Sequence, residues 1–208
     1  FILLQKLLQK YLLGQKCVIV ILLTKTLYQK YYSEDNPKLW IVNFLCDLYT
    51  TVIRGIPVTV LLLIFFFIIL ASAEGVIVAI IAFGINSGAY VAEILRGGIM
   101  SIDNGQFEAG RSLGFNYVQT MIYIIIPQVF KSVLPTLCNE FIVLLKETSV
   151  AGYVAVVDVT KAATNIRNKT YDAVNPIILL ALVYLVMVVA MTRLLAVLEK
   201  RLRRSDGK

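Results

Sequence analysis

Uncharged, mostly apolar stretches alternate with short charged connections along this chain of 208 residues. Three of these stretches contain 19, 18 and 20 uncharged residues. A helix needs about 20 mostly apolar residues to cross the hydrocarbon core of a bilayer. The pattern therefore predicts transmembrane helices at 56–73, 76–95 and 174–194, with a short turn at Glu74 and Gly75 between the first two.

Two overlapping regions fit this rule poorly. Residues 112–130 are uncharged but contain Ser, Gly, Asn, Gln and Pro, whereas residues 127–149 contain two lysines and two glutamates. Charges within a span are costly, and they usually face a transport route or a water-filled cavity. Hydropathy alone therefore leaves open which of the two regions crosses the membrane.

The N-terminal part of the chain carries charges at short intervals. The apolar core of residues 11–28 has only eight uncharged residues, which lie between Lys16 and Lys25. This segment can span a membrane if the lysine side chains extend to the membrane surface. Residues 38–54 mix aromatic, apolar and charged residues, as is typical of an interfacial helix that leads into a span. We predict a first span at 11–28 and an interfacial helix at 38–54.

The composition supports a membrane protein. Apolar residues make up 59% of the chain and the mean hydropathy is +0.80, well above an ordinary soluble domain. The predicted fold is an all-α membrane protein with about five transmembrane helices in a single domain over residues 1–208. A net charge of +7 favours contact with an anionic membrane surface over nucleic acid binding.

The distribution of cations predicts the orientation. Lys and Arg are enriched in cytoplasmic segments next to spans. The C-terminus is therefore expected in the cytoplasm, with Glu74 outside and the 96–126 connection inside. The cations that end or follow the last span are Arg193, Lys200, Arg201, Arg203, Arg204 and Lys208.

Few residues suggest catalytic or metal chemistry. The chain has no His, and Cys17, Cys46 and Cys138 lie far apart in apolar stretches without the spacing of metal ligands. No nucleophile with its own base is recognisable. We expect neither a metal site nor a disulfide, and a transport subunit rather than an enzyme.

One motif discriminates among small membrane proteins. Glu108-Ala109-Gly110 is followed at fixed distances by Gly114 and, after Ile124, by Pro127. This pattern resembles the EAA loop of ATP-binding-cassette (ABC) importer permeases, which has Glu-Ala-Ala, three residues, Gly, nine residues and Ile-x-Leu-Pro. The spacing agrees throughout, but Gly110 replaces the second Ala and Ile126 replaces the Leu. We expect both changes to loosen or reshape the helix slightly without abolishing it.

Further segments resemble the polar amino acid uptake family of these permeases. They are Tyr90 to Ile99 with Gly105-Gln106, Arg54-Gly55-Ile56-Pro57, and Asn139 to Ser149. The resemblance covers residues 39–204. It fails at the N-terminus, where the family usually has a nearly charge-free span.

The resemblance implies that residues 97–126 form a cytoplasmic coupling loop and that the fourth span runs over 127–146. The coupling residues would be Gly105, Glu108, Ala109, Gly110, Gly114 and Pro127. We expect Glu108 near the start of a short helix, where the helix dipole favours a carboxylate. Gly114 would end that helix and Pro127 would open the next one.

The same resemblance places Asn139 and Glu140 within the membrane. We expect them to line the route of the amino acid, with Lys146, Thr148 and Ser149 near the outer gate. A structural carboxylate, hydrogen-bonded across the helix bundle, is an equally open interpretation of Glu140.

The implied assembly has two permease subunits, identical or different, two ATPases and an extracytoplasmic binding protein. It would sit in the bacterial cytoplasmic (inner) membrane among lipids and carry a polar amino acid. The chain has no Gly-Lys-Ser/Thr phosphate loop, so we expect it to bind no cofactor, with ATP and Mg²⁺ on the partner ATPases. An ion channel or a secondary transporter without ATPase coupling is the alternative function.

Overall fold

The computed structural model describes residues 40–204, and helices make up most of this range. The predicted first span at 11–28 lies outside the described residues. We number the α-helices α1 to α8 in chain order. They are α1 Trp40–Gly55, α2 Val58–Ile64, α3 Gly75–Met100, α4 Asn104–Ser112, α5 Tyr117–Thr120, α6 Ile126–Glu147, α7 Val159–Thr170 and α8 Asn175–Arg204.

Helices α1 and α2 form a bent pair. Their axes meet at 107°, and Pro57, with φ −55° and ψ 137°, separates them. Proline fixes φ and disfavours the helical conformation in the residue before it, so the chain breaks here. The helix after the break has seven α-helical residues and a five-residue π-turn, Phe65–Ile69. It is shorter than the predicted span at 56–73 and too short to cross a bilayer alone.

Helix α3 packs against α6 along most of its length. Gly98 allows this close approach, because a Cβ atom there would lie 2.1 Å from Cγ1 of Val133. At the other end of α3, a Cβ on Gly75 would lie 1.8 Å from the carbonyl oxygen of Val154. Since Val154 follows α6, the two helices run antiparallel.

Two apolar clusters lie at opposite ends of α3. One joins α2, the start of α3 and the 3₁₀ turn Thr148–Val154 through Leu62, Phe83 and Val154. The other joins the end of α3 to α4 and α6 and contains Ile99, Phe107, Met121, Ile125, Val129 and Val133. Helix α4 is therefore attached to the end of the bundle opposite to Glu74.

The helical run that contains the predicted fourth span begins before residue 127. Helical structure is continuous from Tyr117 to Val154, and α5 is linked to α6 by a π-turn, Met121–Ile125. The side chain of Asn116 accepts a hydrogen bond from the Gln119 N–H, and the Gln119 side chain accepts one from the Asn116 N–H. This capping box starts the helix. Pro127 lies in the first turn of α6, as predicted, although α6 continues the helical run without a gap.

Helices α7 and α8 complete the chain. Asp158 caps α7 by accepting a hydrogen bond from the Lys161 N–H at 2.7 Å. Hydrogen bonds from the side chain and N–H of Asn175 and from the Val174 N–H lower the pKa of Asp172, which precedes α8. Thr160 on α7 contacts Tyr184 on α8, with 3.2 Å between their hydroxyl oxygens.

The described helices confirm an all-α membrane protein. Three helical runs are long and apolar enough to span a membrane, or four if α1 and α2 count as one broken span. Helix α8 begins at the end of the bundle that holds Val154 and α7, and its 30 residues extend about 45 Å away from it. Its apolar stretch is not buried within the chain, so it is available to lipid or another subunit.

Candidate functional site

Helix α4 is a short, capped helix between α3 and α5. The carboxylate of Asp103 accepts a hydrogen bond from the Gly105 N–H at 2.6 Å, which caps the N-terminus. At the other end, the Phe115 N–H bonds to the Gly110 carbonyl at 3.0 Å and the Gly114 N–H to the Arg111 carbonyl at 2.9 Å. These two bonds form a Schellman motif.

Gly114 has the role that the sequence predicted. Its φ is +77°, a conformation that residues with a Cβ adopt at a cost. The chain turns at this residue, after α4 and before α5.

The two faces of α4 differ. Phe107 and Gly110 are buried against α5 and the start of α6, whereas Glu108 and Ala109 are exposed. Leu113, directly after the helix, leaves 69% of its surface exposed. The helix thus presents Glu108, Arg111 and small or apolar side chains outward, and it is held to the bundle by the opposite face.

Two expectations about α4 need correction. Glu108 is the fifth of nine residues and is not at the helix start, so the residue that benefits from the N-terminal amides is Asp103. The replacement of Ala by Gly at 110 is more than a loosening of the helix. A Cβ there would lie 2.5 Å from Cγ2 and 2.6 Å from Oγ1 of Thr120, so the contact between α4 and α5 requires Gly.

A second group of polar residues is carried by α1, α3 and α6. Asn86 on α3 is 2% exposed, and its Nδ2 lies 3.4 Å from Oε2 of Glu147 on α6. Glu140 is half-buried and lies within electrostatic range of Glu147 and Arg54. Glu140 and Glu147 are seven residues apart, which places them on the same face of the helix, two turns apart.

Arg54 connects this group to α3. Its guanidinium lies 3.8 Å from the carboxylate of Glu93 and 5.3 Å from the centre of the Tyr90 ring. Glu93 also pairs with Arg96 on the next turn of α3. Three helices therefore contribute to this polar group: α3 supplies the buried Asn86, α6 the half-buried carboxylates of Glu140 and Glu147, and α1 the exposed guanidinium of Arg54.

The residues predicted to line the amino acid route differ in their exposure and in their contacts. The structure brings Glu140 near Glu147 and Arg54, whereas the neighbouring Asn139 and Lys146 are exposed within the single chain. The Thr148 hydroxyl donates to the Leu145 carbonyl at 2.7 Å, and Ser149 is half-buried in the same turn.

Sequence reasoning missed Asn86 as a member of this group. The signal available was an Asn-Ser-Gly sequence at 86–88 within an otherwise apolar span. Arg54 and Glu147 were named from the sequence only within segments that resemble the family. Among the described residues, no group of three or more His, Cys, Asp and Glu side chains could hold a metal ion.

Comparison with known proteins identifies the chain. Residues 36–204 match the family described as binding-protein-dependent transport system inner membrane component. The chain belongs to this family. This confirms the resemblance that the motifs indicated, and it excludes the alternative of a channel or secondary transporter.

Curated relatives agree with this family. The chain is 35% identical over 179 residues to the arginine transport system permease protein ArtQ of Bacillus subtilis (strain 168), covering 84% of this chain and 80% of that protein. It is 34% identical over 180 residues to the L-cystine transport system permease protein TcyB of the same organism, covering 85% and 75%.

Solved structures show the same architecture. A crystal structure of an amino acid ABC transporter with histidines contains a chain that is 35% identical, with a TM-score of 0.77, over 94% of this permease and 90% of that chain. The methionine ABC transporter MetNI, in an inward-facing conformation, has a chain with a TM-score of 0.73 at 17% identity, over 95% and 93%. The second match concerns the fold alone.

Family membership settles the broad function. The chain is a multi-pass membrane protein and the permease component of an ABC importer, which works with ATPase and permease subunits. The family consists of membrane components of transport systems, so the expectation of a transport subunit without its own enzyme activity is confirmed.

Proposed function

We propose that this permease carries polar amino acids across the bacterial cytoplasmic (inner) membrane and that α4 docks onto the ATPase. Relatives that transport arginine and L-cystine support the substrate class. The observation that carries the docking role is the position and polarity of α4. It lies at one end of the bundle, exposes Glu108, Ala109 and Leu113, and is fixed by Phe107 and Gly110.

The coupling residues then have distinct roles. Glu108 and Ala109 contact the ATPase, with Glu108 supplying charge and Ala109 allowing close approach. Gly105 helps to hold the N-terminal cap, Gly110 fits α4 against α5, and Gly114 makes the turn that follows. Pro127 lies after the π-turn, in the part of the helix that connects α4 to the span.

The polar group formed by residues of α1, α3 and α6 lines the proposed amino acid route. Glu140 and Glu147 provide carboxylates that attract the ammonium group shared by all amino acids, and Arg54 provides a partner for the carboxylate. Asn139 lines the same route, and Lys146, Thr148 and Ser149 lie toward its outer end. Burial in a water-poor site strengthens such charge-assisted contacts.

The orientation follows from the two ends of the bundle. Helix α4 and the cation-rich end of α8 point to the end opposite Glu74, and an ATPase is cytoplasmic. The C-terminus is therefore cytoplasmic and Glu74 faces outside, in agreement with the cation bias.

The complete transporter would contain two permease subunits, identical or different, and two ATPases that bind ATP and Mg²⁺. An extracytoplasmic binding protein would deliver the amino acid. The permease itself would bind no cofactor. Closure of the ATPases around nucleotide would move α4 and rock the packed spans between inward and outward openings.

A charge reversal tests the docking role. Glu108→Lys, in the complete transporter purified in detergent, is expected to reduce the amount of ATPase that elutes with the permease by about tenfold or more, since paired charges at an interface are worth a few kcal/mol. Glu74→Lys is the matched control, because Glu74 is also exposed but lies at the opposite end. Equal ATPase association in both variants would contradict the proposal.

A further inference from the structure

The link between α4 and the spans contains a weak point. Met121–Ile125 is a π-turn in which the Ile126 N–H bonds to the Met121 carbonyl, five residues earlier. Pro127 follows directly and has no N–H to donate, so the helical ladder is interrupted twice in succession. Single π-turns inside helices are rare and are often found at functional sites. The run from α5 to α6 therefore has a joint here, ahead of the second interruption at Pro135 inside α6.

Helix α4 touches this run on both sides of the π-turn. Before it, Gly110 packs against Thr120. After it, Nε2 of Gln128 donates to Oε1 of Gln106 at 3.0 Å and to the Ile124 carbonyl at 2.9 Å. Between the two contacts, Phe107 is buried in the same apolar cluster as residues of the π-turn. A single turn of α4 thus bridges the whole interruption.

The contact before the π-turn depends on shape. Because Gly110 has no Cβ atom, the Thr120 side chain can occupy the space next to it, and that space would not hold a Cβ as well. Within the described residues, Oγ1 of Thr120 is buried and has no hydrogen-bond partner, which is unfavourable and uncommon in native proteins. Close packing without a hydrogen bond transmits a push between two helices without fixing their relative angle.

We propose that α4 is a splint across the π-turn and that Gly110 and Thr120 are positioning residues which convert movement of α4 into bending of the α5–α6 run. The inference rests on the proposed docking of α4 to the ATPase. Thr120 is held against α4, and the π-turn and Pro127 provide the joint at which the span then changes direction. The splint determines how much substrate is moved for each ATP hydrolysed, and docking determines whether the ATPase binds.

The test measures uptake per ATP in liposomes that contain the complete transporter. Gly110→Ala forces the two helices apart and is expected to lower uptake per ATP by about five- to tenfold while the ATPase remains bound, in the range of coupling between residues in contact. Thr120→Ala leaves a gap and is expected to give a smaller loss. In the double variant, the methyl group introduced at position 110 fills that gap, and uptake per ATP is expected to return toward the wild-type value.

Two control variants test whether a loss of uptake per ATP results from the shape of the contact between Gly110 and Thr120. Gly97→Ala is a matched helical substitution. Although the predicted coupling loop began at residue 97, Gly97 lies within α3, and a Cβ there has no neighbouring atom within 4 Å, so this variant should leave uptake per ATP unchanged. Thr120→Val keeps the shape of the side chain without the hydroxyl group and should also retain coupling. If Gly110→Ala does not assemble, comparison of Thr120→Ala with Thr120→Val still decides the question.

The outcomes are distinct. Normal uptake per ATP in Gly110→Ala, failure of Thr120→Ala to restore it, or equal losses in Thr120→Ala and Thr120→Val would each overturn the splint. None of these results would affect docking, because docking is measured by ATPase association in Glu108→Lys. Conversely, normal association in Glu108→Lys would contradict docking even if the contact between Gly110 and Thr120 proved essential for the spans.

Discussion

Glu140 illustrates what a carboxylate contributes inside a membrane bundle. It is half-buried on α6 and shares a helix face with Glu147, while Arg54 lies within electrostatic range. A carboxylate in this position is costly unless a cation or water accompanies it. An amino acid ammonium group would supply such a cation during transport, so the cost of holding the charge is offset when substrate is present.

Removal of this charge should weaken substrate binding. In Glu140→Gln, binding of a labelled amino acid that the wild-type transporter takes up is expected to weaken about tenfold or more in the detergent-purified permease–ATPase complex, because hydrogen bonds to charged groups contribute about 1.5–3 kcal/mol. Glu74→Gln, at the exposed end of the bundle, should bind as wild type does. Equilibrium dialysis gives both dissociation constants, and an unchanged value in Glu140→Gln would favour the structural interpretation of this residue.

The role of a single residue could be predicted from the sequence where it depends on the backbone conformation at that residue alone. Gly114 could be assigned to a helix end because a positive φ favours glycine at that place in the chain. The requirement for Gly110 could not be predicted, because it arises from Thr120 on another helix. Asn86 was missed for a similar reason, since its partner Glu147 is 61 residues away in the sequence.

At the scale of elements, α4 depends on its caps more than on its own composition. It has nine residues, and a helix of this length is marginal without tertiary contacts. Phe107 supplies such a contact on the inner face. Asp103 closes the N-terminus, and the Schellman motif around Gly114 closes the other end.

Loss of the N-terminal cap should loosen α4 locally. Asp103→Ala is expected to lower the free energy of local unfolding of α4 by about 1 kcal/mol, the usual value for a lost cap. Amide hydrogen exchange of the first turn should then accelerate about fivefold, because local opening limits exchange in such a segment. Asp103→Asn keeps a capping oxygen and should exchange nearly as slowly as wild type. Equal exchange in wild type and Asp103→Ala would contradict the role of the cap.

Helices were predictable where their apolar runs were unbroken. The uncharged stretches that became α3 and α8 gave both spans to within a few residues at their N-terminal ends, although both helices continue beyond the predicted C-terminal ends. The α5–α6 run was harder, because its charges and its two prolines at 127 and 135 oppose a span. Its start at Tyr117 depends on the reciprocal bonds of Asn116 and Gln119, a local signal that hydropathy does not contain.

For the whole molecule, the antiparallel packing of α3 and α6 separates two functional ends. One end holds Glu74 and α7, and the other holds α4. The proposed membrane orientation assigns the first end to the outside and the second to the cytoplasm. The charge bias of the C-terminal segment points the same way.

Cysteine labelling tests this orientation. In a variant whose three native cysteines are replaced by Ser, Glu74→Cys is expected to react with a membrane-impermeant maleimide in intact cells. Leu113→Cys, also at an exposed position in the single chain, should react only after the cells are opened or in inverted vesicles, and less when the ATPase is bound. Labelling of Leu113→Cys in intact cells would reverse the assignment and contradict cytoplasmic docking.

The π-turn at Met121–Ile125 also determines the direction in which α4 faces around the axis of the α5–α6 run. Successive helical residues are rotated by about 100°, so a single additional residue in one turn swings everything before it through more than a quarter of a circle relative to the span that follows. Deleting one residue from this turn would leave the composition of the membrane helix almost unchanged. Glu108, however, would then point in a different direction around the helix axis. The direction of the exposed face of α4 therefore depends on the number of residues in the π-turn, which lies outside α4.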